Sequence, residues 1–148
     1  MYTKHVNPKK NKERVVDEDG FVRRVAALCS HKSRKTKLLL ITSKSSHAKW
    51  IIPGGGINLN ETAEDAVLRE AYEEAGVICD NATYLGVVEE LNAKKRTDVF
   101  SLEVIETVDE WEESKANKRL RQWFSIPEVY DLLADYRPEQ IACLDLLR

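Results

Sequence analysis

Residues 50–76, W-I-I-P-G-G-G-I-N-L-N-E-T-A-E-D-A-V-L-R-E-A-Y-E-E-A-G, constrain the fold of this chain more than any other stretch. Pro53 ends an extended Trp50-Ile51-Ile52 run, because its ring removes a backbone donor and biases the preceding residue away from helix. Asn60 or Thr62 suits the cap of a following helix, and Glu64 and Asp65 favour the positive end of its dipole. Gly76 suits the left-handed residue that closes it. The predicted helix runs from Thr62 to Ala75, with Val67, Leu68, Ala71 and Ala75 on its apolar side.

Short apolar runs surround this helix. Arg23–Ser30 and Lys37–Thr42 flank the basic loop H-K-S-R-K-T and predict a strand pair. Further strands are expected at Tyr84–Glu90, Val99–Val108 and Arg121–Ser125. Pro127 opens a second helix carrying Val129, Leu132 and Leu133, and Pro138 opens a terminal one carrying Ile141, Leu144 and Leu147. Strands with one helix inserted among them and helices at the end predict an α/β (α+β) protein, an α/β/α sandwich with a mixed central sheet. A length of 148 residues suits one domain, taken as residues 14–148 after an N-terminal segment, residues 1–13, expected to be disordered. Cys29, Cys79 and Cys143 are widely spaced without a C-x-x-C pair and read as small apolar thiols. With no signal-peptide core and no membrane-length apolar run, the expected location is cytoplasmic, with the nucleus as a second compartment.

A net charge of −2 conceals a separation of charge along the chain. Residues 31–50 carry Lys32, Arg34, Lys35, Lys37, Lys44 and Lys49 and no acid, whereas residues 57–80 carry Glu61, Glu64, Asp65, Glu70, Glu73, Glu74 and Asp80 against the single Arg69. That pattern suits a cation site beside a polyanion site. Lys32–Lys37 reads as a solvated hairpin tip, and Trp50 and Trp123 read as core. Glu70, Glu73 and Glu74 share one side of the helix, where like charges repel. Either the fork of Arg69 or a divalent ion such as Mg²⁺, which takes carboxylate, carbonyl and water oxygens, offsets that repulsion. Gly54–Gly56 lack Cβ atoms and so offer bare backbone to an ion or a phosphate. The carboxylates alone fit a solvated helix face, but the joint spacing of glycines and acids favours a site.

The spacing Gly55, five residues, Glu61, seven residues, Arg69-Glu70-Ala71-x-Glu73-Glu74-x-Gly76-Val77 resembles the Nudix box at every defined position. The resemblance implies the Nudix fold and Mg²⁺-dependent hydrolysis of a phosphoanhydride, with Mn²⁺ as a substitute ion. It also implies that Glu70 and Glu74 hold metal with the backbone carbonyl of Gly54. Glu73 is then a metal-associated residue or the general base, and Arg69 orients the glutamates.

The flanks W-I-I-P-G-G-G, D-G-F-V-R-R-V-A-A-L-C, K-R-T-D-V-F, W-E-E-S, R-L-R-Q-W-F and Y-R-P-E-Q together look like the diphosphoinositol polyphosphate phosphohydrolases, from about Arg14 to Arg148. That family removes the β-phosphate from diphosphoinositol polyphosphates and hydrolyses diadenosine polyphosphates. A densely phosphorylated ring needs several converging Arg and Lys to offset its lost hydration. Positions resembling the family's substrate contacts are Arg14, Arg23, Arg24, Ser43, Lys44, Ser45, Arg119 and Arg137. Val22, Ser45 and Ala93 stand where basic residues are common, and Lys44, Lys94, Lys95 and Arg96 are cations placed to compensate. A monomer is expected. Two other functions stay open: a nucleotide-specific Nudix hydrolase, acting for example on an RNA cap, which needs a platform for a base, and an inositol polyphosphate sensor without turnover.

Overall fold

The computed structural model describes residues 2–7 and 12–147. Its strands are β1 (Tyr2–Asn7), β2 (Lys12–Asp17), β3 (Val22–His31), β4 (Arg34–Thr42), β5 (Trp50–Ile51), β6 (Gly54–Gly56), β7 (Val77–Glu90), β8 (Lys95–Thr107) and β9 (Arg121–Ser125). The helices are α1 (Ala63–Ala75), α2 (Glu112–Ala116), α3 (Ile126–Tyr136) and α4 (Ile141–Asp145), with a 3₁₀ turn at Pro138–Gln140.

Central β3 pairs antiparallel with β4 and β6 but parallel with β8, so the sheet is mixed as expected. β7 extends it antiparallel to β8, and β9 and β5 extend it from β4. Residues 2–7, within the segment read as preceding the domain, pair antiparallel with β2.

Alternation along the strands separates two cores. Val25, Ala27 and Cys29 of β3 and Leu39 and Ile41 of β4 meet Ala66, Val67, Ala71 and Ala75 of α1. Ala26, Leu28, Leu38 and Leu40 face the other way and meet Val129 and Leu133 of α3 and Cys143 and Leu144 of α4. Each fully buried Leu, Ile or Val contributes roughly 1.5–3 kcal/mol by leaving water, and Leu28, Leu40, Ile41, Leu133 and Leu144 are all of this kind. Helices therefore cover both faces, the expected α/β/α sandwich.

Several elements differ from expectation: β2 and α2 are additional, and β4 and β8 start at Arg34 and Lys95 rather than at Lys37 and Val99. β7 starts at Val77 rather than Tyr84, because pairing with β8 continues through the polar Asp80–Ala82 stretch by shifting register there. Gly54–Gly56, read only as bare backbone, form strand β6, and none of the three has a positive φ.

Candidate active site

α1 is aimed by its ends. The Thr62 hydroxyl accepts the Asp65 N–H at 3.0 Å, and Gly76 closes the helix at φ 64. The last carbonyls find partners from far along the chain: Trp111 Nε1 donates to Glu74 O at 2.8 Å, and Arg121 Nη1 donates to Ala75 O at 2.9 Å and Gly76 O at 3.1 Å. Arg121 also lies over the Trp111 ring at 4.2 Å. Neither residue stands out in the sequence as part of the site; the composition W-E-E-S and R-L-R-Q-W-F carries no local sign of this long-range cap.

β6 lies against α1 at a distance only glycine permits. A Cβ on Gly55 would overlap the Glu70 carboxylate, and one on Gly54 would overlap the Val25 carbonyl. Glycine is thus required here for close approach rather than for a left-handed turn. Ala27 N–H bonds Pro53 O at 2.9 Å and Ile57 N–H bonds Arg23 O at 3.2 Å, so Val25 and Gly55 form the bonded pair between them. Antiparallel alternation then turns both the N–H and the C=O of Gly54 and Gly56 away from β3. Gly54 N–H meets Glu74 Oε1 at 2.9 Å, and Gly56 O accepts from Arg14 Nη1 and Arg69 Nη2, each at 3.0 Å.

Of the two devices that offset the glutamates' repulsion, the structure displays arginine, and uses two of them. Arg69 donates to Glu61 Oε2 at 2.7 Å, Glu61 Oε1 at 2.9 Å, Glu70 Oε1 at 2.8 Å and Glu73 Oε1 at 3.3 Å. Its hydrogen bonds to Glu61 raise the guanidinium pKa further. Burial pushes Glu61 up, but the Arg69 and Asn58 hydrogen bonds outweigh it and hold the carboxyl below its ordinary value. Arg119, read from the sequence as a substrate contact, is buried and donates to Glu74 Oε2 at 3.0 Å and Thr42 O at 2.8 Å.

A cleft of about 680 Å³ opens beside this cluster. Arg14, Arg24, Ser43, Lys44, Ser45, Arg119 and Arg137 line it, together with Gly54–Gly56 and Glu74. Arg14 is itself buried, bonded to Gly56 O and to Asn58 Oδ1 at 2.5 Å, and desolvation lowers its pKa. Ser43 and Ser45 share hydrogen bonds with the Tyr136 hydroxyl at 3.1 and 2.8 Å, which hold its pKa below the usual phenol value. Lys44 Nζ stands 3.3 Å from Glu113, and Arg137 stacks on Tyr136 at 5.0 Å. The Arg24 guanidinium donates no hydrogen bond to a described residue.

Arg23 and Arg96 are not brought to the cleft. Arg23 Nη2 donates to both Asp98 oxygens at 3.1 and 3.0 Å, and Arg96 is held by Asp17, Asp19 and Glu89 at 2.6 to 2.9 Å while stacking on Phe21. Successive residues of a strand point to opposite faces, which separates Arg23 from Arg24.

Among the described residues no three acidic, His or Cys side chains converge as a metal-binding group. The donors nevertheless have the chemistry a divalent ion takes. Glu70 Oε2 is a fully buried carboxylate oxygen without a hydrogen-bond partner, and the Gly54 carbonyl points to the edge where Glu74 meets the Gly54 N–H. Carboxylate and carbonyl oxygens are what hard cations bind.

The NUDIX domain family matches residues 21–147. Diphosphoinositol polyphosphate phosphohydrolase 3-alpha of Mus musculus is 38% identical over 141 residues, covering 95% of this chain and 86% of its own. Diphosphoinositol polyphosphate phosphohydrolase 2 of Homo sapiens is 36% identical over 140 residues, covering 95% and 78%. A NUDIX hydrolase structure from Nitrosomonas europaea superposes with a TM-score of 0.70 at 21% identity, over 86% of this chain and 88% of that one, a likeness of fold. A glycine strand pressed on the box helix, in a domain matched over nearly all its length, makes the chain a Nudix hydrolase and a member of the diphosphoinositol polyphosphate phosphohydrolase family.

Proposed function

We propose that the chain hydrolyses phosphoanhydride bonds, removing the β-phosphate of diphosphoinositol polyphosphates and also cleaving diadenosine polyphosphates. The observation that carries this reading is one cleft in which Arg24, Lys44, Arg119 and Arg137 stand beside the glycine strand and Glu74. Phosphoryl transfer depends mainly on positioning and on neutralising charge, and this cleft supplies both from the chain itself.

In the proposed mechanism Arg24, Lys44 and Arg137 take the ring phosphates, and the Ser43 and Ser45 hydroxyls bond the phosphoryl oxygens. Nudix hydrolases need a divalent metal. Mg²⁺ would be held here by Glu70, Glu74 and the Gly54 carbonyl; when bound, such an ion neutralises phosphate charge and acidifies a water. Glu73, whose side chain keeps 27% of its exposure, is either associated with that ion or accepts the proton from the attacking water. Arg69 orients the glutamates through its bonds to Glu61, Glu70 and Glu73. The cleft walls carry no aromatic ring, so a nucleoside base finds no stacking surface there.

The test is a parallel assay of diphosphoinositol pentakisphosphate, diadenosine hexaphosphate and capped RNA, with and without Mg²⁺, following released phosphate. The inositide is expected to turn over fastest and only with metal. Preference for the cap would overturn the substrate, and binding without turnover would make the chain a sensor.

A further inference from the structure

Lys32, Arg34, Lys35 and Lys37 at the β3–β4 turn make no ion pair with a described residue. By contrast Arg23, Arg69, Arg96 and Arg119 are each held by carboxylates. Two of these cations, Arg34 and Lys37, line a second cleft of about 290 Å³, walled also by His31, Ser33 and Trp123. His31 Nδ1 accepts the Ser33 backbone N–H at 3.1 Å, which in the neutral ring leaves Nε2 as a donor. Glu128 is the acid whose field Lys37 reaches, and it is committed to capping α3 through the Ser125 N–H at 2.9 Å. No acidic side chain is among the cleft walls.

Arg34 begins β4 and Ser43 follows its end, a span of roughly 25–30 Å at about 3.3 Å per residue, and Lys37 lies about 20 Å from Ser43 along the same strand. This is a separate place on the molecule. Its donors are the kind that bind phosphoryl oxygens: an Arg fork, a Lys point charge and an imidazole N–H. Base recognition is disfavoured, because Trp123 packs edge-to-face with His31 at 5.7 Å and against the α1-side core.

We propose that this cleft is a second anion site, one that binds a chain of phosphoryl groups without hydrolysing it. With no carboxylate in its walls it needs no metal to bind and has none of the groups that hydrolysis in the first cleft uses.

The probe is inorganic tripolyphosphate, titrated into the full chain without Mg²⁺ and followed by amide and indole NMR shifts. Shifts are expected at His31–Lys37 and at the Trp123 indole, and they should persist in Arg24→Glu, where the first cleft is weakened. Arg34→Glu lies on an exposed residue and, alone or with Lys37→Glu, should reduce affinity at the turn at least tenfold while leaving substrate turnover unchanged. Shifts confined to the first cleft, or unchanged affinity in a folded Arg34→Glu variant, would overturn the proposal. A single-stranded oligonucleotide of matched charge binding the turn more tightly than tripolyphosphate would overturn the phosphoryl-chain assignment in favour of nucleic acid.

Discussion

Gly55 presses its backbone against the carboxylate of Glu70 so closely that a single added methyl group would occupy the space of that carboxylate. The contact joins strand β6 to helix α1 and leaves Glu70 Oε2 buried with no hydrogen-bond partner. Gly55→Ala should therefore displace Glu70 or push the strand from the helix. Overpacking of this kind costs about 1–3 kcal/mol, and turnover should fall at least tenfold. Denaturant melts and initial rates check both, and a parent-like variant would mean that the carboxylate moves aside freely.

Arg119 and Glu74 form a buried pair at 3.0 Å, with side-chain exposures of 3% and 9%. Removing one partner of such a pair typically costs about 3–5 kcal/mol, because the other is left buried and charged. Arg119→Met should be markedly destabilised, and Arg119→Met with Glu74→Gln should recover part of the loss. Additive losses in a double-mutant cycle would deny the coupling.

Glu74→Gln alone leaves buried Arg119 without its charged partner and should be less stable; in the folded protein it should lower turnover by orders of magnitude while keeping much of the substrate affinity. Mg²⁺ is expected to raise the melting temperature of the parent and to raise it less in Glu74→Gln and Glu70→Gln. Full activity of Glu74→Gln at saturating Mg²⁺ would remove Glu74 from the metal site.

Neighbours in sequence, Arg23 and Arg24 should respond differently to charge reversal. Arg24→Glu faces the cleft and should raise KM for the inositide more than for the dinucleotide. Arg23→Glu faces Asp17 and Asp98 and should chiefly reduce stability. Identical kinetic defects in the two variants would contradict the separation.

Glu61 titrates below its ordinary value of 4.5 because the Arg69 and Asn58 hydrogen bonds outweigh its burial. A carboxyl depressed in the folded state stabilises fully above its unfolded pKa and loses that contribution as pH falls through the folded value. The parent should thus lose stability between about pH 5 and pH 3 more steeply than Glu61→Gln. Parallel urea midpoints over that range would exclude the linkage.

Local chemistry alone determined much of this protein. The Thr62 cap, the Gly76 stop and the continuous apolar runs of β3 and β4 are written in neighbouring residues, and they specify α1, the strand pair and, because such a run buries both faces of a strand, the sandwich. The box spacing likewise marks Arg69, Glu70, Glu73 and Glu74 as one cluster, since helix geometry relates residues three and four apart. Only the tertiary structure decided that Gly54–Gly56 extend as a strand, that Arg119 holds Glu74, that Trp111 and Arg121 close the end of α1, and that Arg24 rather than Arg23 reaches the cleft. Those relations join residues from 28 to 46 positions apart or depend on which face of a pleat meets the cavity. Sequence periodicity describes each element's own faces, whereas the packing of one element on another selects which faces meet.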